Sequence, residues 1–156
     1  MALMIDRKTG SVEAEVPGAQ RLAFEKNFDV EFHQKELLKL ALKFRHKSVI
    51  INTQFGLVDG QTVIRRKTMV AMGDALLRLL SIQQEFDFRT AVKYQTNRHL
   101  ANKFDALNLQ QYISIKPNAI KSQITKGDVI EAIIGAIYLD QGIEQARTFF
   151  RRHIAF

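Results

Sequence analysis

The stretch GDVIEAIIGAIYLD, residues 127–140, decides the fold that we expect for this chain. It is apolar around most of the circumference of a helix, so it predicts a helix buried at the centre of an all-α domain. Two acids interrupt it: Asp128 and Glu131 are three residues apart, which places them on one face of that helix. Gly142 follows as a candidate helix-terminating residue.

A second helix, predicted over about 69–82, is also apolar on most of its circumference and carries Gly73 and Asp74 in its middle. Glycine costs a helix interior about 1 kcal/mol relative to alanine. A buried aspartate needs an ionic partner, hydrogen bonds or a metal ion. The pair Gly73-Asp74 therefore indicates that this helix meets a close neighbour and contributes to a polar site.

The remaining patterns predict a helical bundle. Apolar periodicity indicates further helices near 37–44, 99–106, 110–113 and 143–154. Residues 48–60 are ambiguous, because Val49 to Ile51 suit a short extended piece and Asp59-Gly60 is a turn signal, but no strand signal is strong. Weak periodicity and the Pro17-Gly18 breaker predict that residues 1–23 form an arm or loosely docked tail, with residues 24–156 as the domain.

The composition favours an anionic partner. The 156 residues carry a formal net charge of +7, which suits nucleic acid or an anionic membrane surface, although solubility alone explains many basic proteins. No apolar run approaches the roughly 20 residues that span a bilayer. The chain has no cysteine and no secretory signal at its start, so we expect an intracellular protein that does not bind membranes.

Three acids on two apolar helices suggest a metal site. If Asp74 faces Asp128 and Glu131, the carboxylates repel one another unless a cation lies between them, and Mg²⁺ accepts such oxygen ligands. The alternatives are structural. Asp128 could lie near a helix start and interact with the macrodipole, Glu131 could reach back to the first turn, and Asp74 could pair with Arg78.

Four segments together resemble the ribonuclease III family. Residues 73–77, GDALL, are similar to its Gly-Asp-Ala-Val-Leu signature, and residues 127–140 are similar to its second signature, Asp-x-x-Glu-Ala-x-x-Gly-Ala-x-Tyr-Leu-Asp. Residues 96–101, TNRHLA, resemble the family's Ser-Asn-x-x-Leu-Ala segment, and residues 41–48, ALKFRHKS, are a looser match to Ala-Leu-Thr-His-x-Ser. The segments occur in family order.

This resemblance implies a ribonuclease III endonuclease-domain fold and an Mg²⁺-dependent endoribonuclease, in which Mn²⁺ can substitute. Such a domain normally forms a homodimer that cleaves double-stranded RNA to 5′-phosphate and 3′-hydroxyl ends. By motif position, Asp74, Asp128 and Glu131 match three of the four family carboxylates that bind metal and catalyse cleavage. Asn97 matches a family asparagine beside the site.

The chain departs from the family before Gly73. Where the family reads Glu-Arg-Leu-Glu-Phe-Leu, residues 67–72 read KTMVAM. Val70 therefore replaces the fourth metal-binding glutamate, Lys67 replaces an acid on the substrate side, and Ala71 replaces a phenylalanine that inserts into the partner subunit. These changes keep a second hypothesis open. It is a catalytically impaired ribonuclease III-like module that binds structured RNA in a ribosome or processing complex, or supports an active partner in a heterodimer.

Basic residues near the expected site are candidate RNA contacts. We expect no double-stranded-RNA-binding domain in this chain, so phosphate contacts would come from the domain itself. The candidates are Arg65, Arg66, Lys67, Lys121 and Lys126. The alternative for each is a solvated helix surface.

Overall fold

The computed structural model describes residues 15–42, 48–53, 60–113 and 120–156, which form a helical bundle with one small β-hairpin. The hairpin strands are β1 (Ser48–Thr53) and β2 (Gly60–Arg65). The α-helices of these residues are α1 (Glu15–Phe28), α2 (Lys35–Leu42), α3 (Arg66–Glu85), α4 (Phe88–Ala91), α5 (Asn97–Ala106), α6 (Gln123–Gln141) and α7 (Ile143–Phe149). Short 3₁₀ turns cover Val92–Gln95 and Leu109–Tyr112, and a π-helical turn covers Phe150–Ile154.

Helix α6 is the centre of the domain, as its sequence predicts. All residues from Val129 to Ile137 are buried, and α2, α3, α5 and α7 pack around the helix. The all-α prediction is confirmed, and none of the described helices is long and apolar enough to cross a membrane.

Two glycines let α3 and α6 approach closely. A methyl group on Gly73 would overlap the backbone carbonyl of Glu131, and one on Gly135 would overlap the backbone carbonyl of Met69. Each glycine is therefore a contact point at which the backbone of one helix touches the other. The helix-propensity cost of Gly73 is offset by this contact, because packed backbones gain dispersion energy along both helices.

Both ends of α6 are fixed by polar contacts. The Ser122 side chain accepts hydrogen bonds from the first turn at Ile124 and Thr125, which satisfies otherwise free amide groups. At the other end, the buried carboxylate of Asp140 accepts hydrogen bonds from the backbone N–H groups of His33 (2.9 Å) and Gln34 (2.7 Å). The end of α6 is thereby joined to the turn that begins α2.

Helix α1 begins at Glu15, nine residues before the start of the domain that we expect at residue 24 from the sequence. The division of the chain into an arm and a domain stays a prediction. Pro17 lies in the first helical turn, where a missing amide hydrogen costs no hydrogen bond, so Pro17-Gly18 does not break the helix. Phe24 and Phe28 then anchor α1 in the core. Residues 1–14 lie outside the described part of the chain.

Residues 48–60, which were ambiguous from the sequence, contribute to an antiparallel hairpin of β1 and β2. The strand signal in the sequence was too weak to predict it. Val49 pairs with Ile64 and Ile51 with Thr62, and this face of the hairpin is turned toward the protein. Ile50 and Val63 pair on the opposite, exposed face. The end of the helix predicted near 37–44 and the turn signal at Asp59 lie outside the described residues.

We predict that Gly73→Ala or Gly135→Ala destabilises the protein by about 3 kcal/mol, because the added methyl group must push two backbones apart. Urea unfolding followed by circular dichroism measures the change. Gly18→Ala is the matched control: it meets nothing within 4 Å and lies in α1, so it should leave stability unchanged or raise it by up to about 1 kcal/mol. Equal stability of all the variants would contradict the close-contact interpretation.

Candidate acidic site between α3 and α6

The contact at Gly73 brings the predicted acids together. Asp74 is the next residue of α3, and Glu131 is the residue of α6 against which Gly73 packs. The side chains of Asp74 and Glu131 share a hydrogen bond, and Asp128, three residues before Glu131 in α6, is close enough to act on both electrostatically. The residues chosen from the motif positions are therefore neighbours in the fold.

Glu131 is the most perturbed acid of this cluster. It is only 8% exposed, and burial, followed by the hydrogen bond and charge of Asp74 and then the charge of Asp128, raises its pKa to about 8. Burial also raises the pKa of Asp128, an effect that the nearby Arg66 opposes and Asp74 reinforces. The site thus concentrates negative charge that would be relieved by a proton or by a cation.

Two arginines flank the acids. The Arg78 guanidinium lies 3.2 Å from the carboxylate of Asp74, one helical turn away, so the predicted ion pair between these residues is present. Arg66 is half-buried at the start of α3 and donates a hydrogen bond to the backbone carbonyl of Ala41 (3.3 Å). Burial lowers the pKa of Arg66, and the charge of Asp128 opposes that shift.

The structure rejects the helix-end explanations for the other two acids. Helix α6 begins at Gln123 and is capped by Ser122, so Asp128 lies in the second turn, and no acid occupies the first. Glu131 lies one turn further on and hydrogen-bonds to Asp74 instead of reaching back to the helix start. The carboxyl groups therefore need a partner other than the helix macrodipole, whose effect falls off within the first turn.

The positions that depart from the family motif also line this part of α3. Val70, one turn before Asp74, is partly buried and packs against the core, while Lys67 and Ala71 are exposed. Asn97 begins α5, and its side-chain oxygen lies 3.6 Å from the position that a Cβ on Gly127 would take. Asn97 is thus beside the residue that precedes Asp128.

The candidate RNA contacts divide into two groups. Arg65, Lys67 and Lys121 are exposed. Lys126 instead forms an ion pair with Asp105 (2.8 Å) and lies 5.7 Å from the centre of the Phe104 ring, and Arg66 is drawn towards Asp128. Arg66 and Lys126 thus have anionic partners within the protein. The RNA role of all five remains a prediction.

The donor chemistry of the cluster fits a hard cation, although its present arrangement is not a finished metal site. Carboxylate oxygens are the ligands that Mg²⁺ prefers. In the part of the chain that the structure describes, no three Asp, Glu, His or Cys side chains surround a common point as metal ligands do. Arg78 and the hydrogen bond to Glu131 occupy the Asp74 carboxylate, so the acids would have to rearrange around a cation.

Sequence reasoning missed the role of Arg66. As a member of the basic run 65–67 it was assigned to RNA, and nothing in its spacing indicates Asp128, which belongs to another helix. Arg66 directly follows β2 as the first residue of α3, and the sequence did not indicate this position because the strand itself was not predicted.

Several ribonuclease 3 proteins are similar in sequence to most of this chain. Ribonuclease 3 from Chloroflexus aggregans is 31% identical over 146 residues, which cover 83% of this chain and 62% of that protein. Ribonuclease 3 from Vibrio cholerae is 32% identical over 126 residues, covering 75% of this chain and 52% of the relative. The chain thus spans about half to three-fifths of the length of these relatives. No family model matches the sequence.

Solved structures agree on the fold. Two structures of the nuclease domain of ribonuclease III from Campylobacter jejuni match with TM-scores of 0.63 and 0.64 and 24% sequence identity. The matches cover 83% and 87% of this chain and 92% of each nuclease domain. One of them is described as showing flexibility in a region involved in dimer formation. The chain therefore has the all-α fold of ribonuclease III nuclease domains.

Together with the ordered signature segments, the likeness to these relatives supports a place for the chain in the ribonuclease III family. The chain departs from the family signature at residues 67–72, which lack its acidic and aromatic residues.

We predict that Glu131→Gln stabilises the metal-free protein at alkaline pH. Between the ordinary glutamate pKa of 4.5 and the value of about 8 in the fold, the native state keeps a proton that the unfolded chain loses. The stability of the wild-type protein must therefore fall as pH rises through this interval, whereas the glutamine variant lacks this loss. The stability difference between the two proteins should shift in favour of the variant by about 4 kcal/mol between pH 4.5 and pH 8.

Urea unfolding in EDTA at several pH values between 4.5 and 8 measures this difference. Glu36→Gln, at an exposed position of α2, controls for the substitution itself. A difference between wild type and Glu131→Gln that stays constant with pH would show that Glu131 does not retain its proton.

Proposed function

We propose that this protein is a divalent-metal-dependent endoribonuclease that cleaves double-stranded RNA to 5′-phosphate and 3′-hydroxyl ends inside the cell. The observation that carries the proposal is the cluster of the buried Glu131 with the partly exposed Asp74 and Asp128, which come from the two segments that resemble the family signatures. A buried Glu131 costs stability at neutral pH, and a site with no use for its charge would favour an apolar residue.

Asp74, Asp128 and Glu131 are the residues that would hold the cation. When bound, Mg²⁺ or Mn²⁺ supplies an activated water and neutralises charge on the reacting phosphate. The chain itself fixes the acids on two packed helices, where neither helix can turn without breaking the contacts at Gly73 and Gly135. The nearness of the Asn97 side-chain oxygen to Gly127 supports a role for Asn97 in positioning the RNA or a water next to the acids.

Double-stranded RNA suits the charge of the domain. Of the five candidate contacts, Arg65, Lys67 and Lys121 are exposed, and the first two flank the start of α3. Contacts between basic side chains and phosphates do not depend on the nucleotide sequence, and they weaken as the salt concentration rises. The A-form duplex is recognised largely by its shape and its 2′-hydroxyl groups, so a base-reading element is not required.

We expect the wild-type protein to cut a labelled RNA duplex in Mg²⁺ or Mn²⁺, and Glu131→Gln to lower the rate at least about 100-fold, because a metal-binding carboxylate is lost. Denaturing gels measure the products, and EDTA should abolish the reaction. Glu36→Gln is the control and should cleave at the wild-type rate. Cleavage that survives Glu131→Gln would overturn the site, and no cleavage by wild type would overturn the activity.

A second candidate function is RNA binding without cleavage, in a ribosome or processing complex or beside an active partner subunit. Val70 favours it, since a side chain packed against the core occupies the place of the fourth metal-binding acid. The exposed Lys67 adds a positive charge where the family has an acid. Duplex binding in a gel-shift assay with no products at any metal concentration is the result that this function requires.

The protein is also proposed to form a homodimer through one face of α3. Exposed apolar residues recur along it at steps of three and four, which places them in one stripe. This α3 apolar face consists of Ala71, Ala75, Leu79, Ile82 and Phe86. Phe86 is 88% exposed, and Phe88, 68% exposed, extends the surface from α4. Contiguous exposed apolar surface of this kind marks protein interfaces, and it continues despite the alanine at position 71.

We predict that Leu79→Glu combined with Ile82→Glu converts a dimer into a monomer of 17.9 kDa, because charges cannot be buried in an apolar interface. Size-exclusion chromatography with light scattering gives the mass. Leu22→Glu is the matched control, as Leu22 is 58% exposed on α1 and lies outside the α3 apolar face. A wild-type protein that is monomeric at micromolar concentration would refute the dimer.

A further inference from the structure

Two arginines already lie beside the acids of this cluster. Asp74 is paired with Arg78 at 3.2 Å, and Asp128 is attracted by Arg66. The arginines lie at different points of α3, one in its first turn and the other one turn beyond Asp74. Two guanidinium groups therefore face three carboxyl groups, and Glu131 is the acid with the least direct compensation.

The two arginines differ in their freedom to move. Arg66 is half-buried and tied to the Ala41 carbonyl, so its charge is fixed next to Asp128. The side chain of Arg78 is 65% exposed, and Asp74 itself is 42% exposed. An ion pair in such a solvated position is weak, and a long arginine side chain can turn away into water at little cost.

We propose that Arg78, with Arg66 as a fixed companion, is a built-in counter-ion that stabilises the acidic cluster in the metal-free protein and competes with a divalent cation for Asp74. This inference rests on the proposed function, because it concerns the same site. Cation binding then requires Arg78 to release the Asp74 carboxylate. The guanidinium is left beside the site as a positive charge that faces solvent, where RNA phosphate would arrive.

The competition follows from charge and geometry. A metal ligand must direct its oxygen to the cation, and the Asp74 oxygen in question is engaged by Arg78. A positive charge a few ångströms from a divalent cation also repels it, and more strongly in a partly desolvated site than in water. Because Val70 stands where the family has a fourth acid, the cluster has less negative charge with which to attract a cation against the repulsion from Arg78.

The test measures Mn²⁺ binding to the full chain without RNA, by isothermal titration calorimetry at low ionic strength. Arg78→Ala should bind Mn²⁺ about three- to tenfold more tightly than wild type, and the gain should shrink as salt rises. Arg152→Ala is the matched control, because it breaks another exposed ion pair of the same length, 3.2 Å to Asp29, away from the cluster. Its Mn²⁺ affinity should equal that of wild type.

A second readout is the unfolding temperature in EDTA and in saturating Mn²⁺. Arg78→Ala should unfold at a lower temperature than wild type in EDTA, and the deficit should disappear when Mn²⁺ replaces the lost positive charge. Unchanged or weaker Mn²⁺ affinity of Arg78→Ala would overturn the proposal, and so would the absence of Mn²⁺ binding by both proteins.

The outcome is distinguishable from that of the nuclease proposal. Tighter Mn²⁺ binding by Arg78→Ala, together with no RNA cleavage by wild type, would support the counter-ion role and overturn the nuclease. Cleavage by wild type with equal Mn²⁺ affinity of both proteins would support the nuclease and overturn the counter-ion role.

Discussion

The contact between α3 and α6 is the interaction on which the rest of the structure depends. At Gly73 and Gly135 the two backbones touch, so the helices are locked against both rotation and sliding. This contact places Asp74 next to Glu131 and buries α6 among its neighbours. Stability and the chemistry of the site therefore have the same origin. A larger residue at Gly73 would disturb the acids as directly as it would disturb the core.

The central part of the fold could be predicted from sequence because its signals are strong and local. Apolar helices at α3 and α6 follow from periodicity, and the terminating Gly142 adopts a positive φ of 93° at the end of α6. The start of α1 and the hairpin could not be predicted. Pro17 reads as a breaker unless the helix begins just before it, and strand pairing between 48–53 and 60–65 is non-local information.

The site shows the same division. The motif positions identify Asp74, Asp128 and Glu131, and the pairing of Asp74 with Arg78 follows from helical spacing. The hydrogen bond between Asp74 and Glu131 and the attraction between Arg66 and Asp128 join residues from different helices. No periodicity within one segment encodes them. They become visible only when the packing of the helices is known.

The hairpin has a mechanical consequence for the domain. Strand β2 ends at Arg65 and α3 begins at Arg66, so no slack chain separates them, and the pairing of Ser48 with Arg65 fixes this junction. The hairpin is therefore joined directly to the helix that bears Asp74. A change in the tilt of β2 would act on the first turn of α3, where Arg66 lies beside Asp128, so a contact made by the hairpin could alter the charge balance of the acidic cluster.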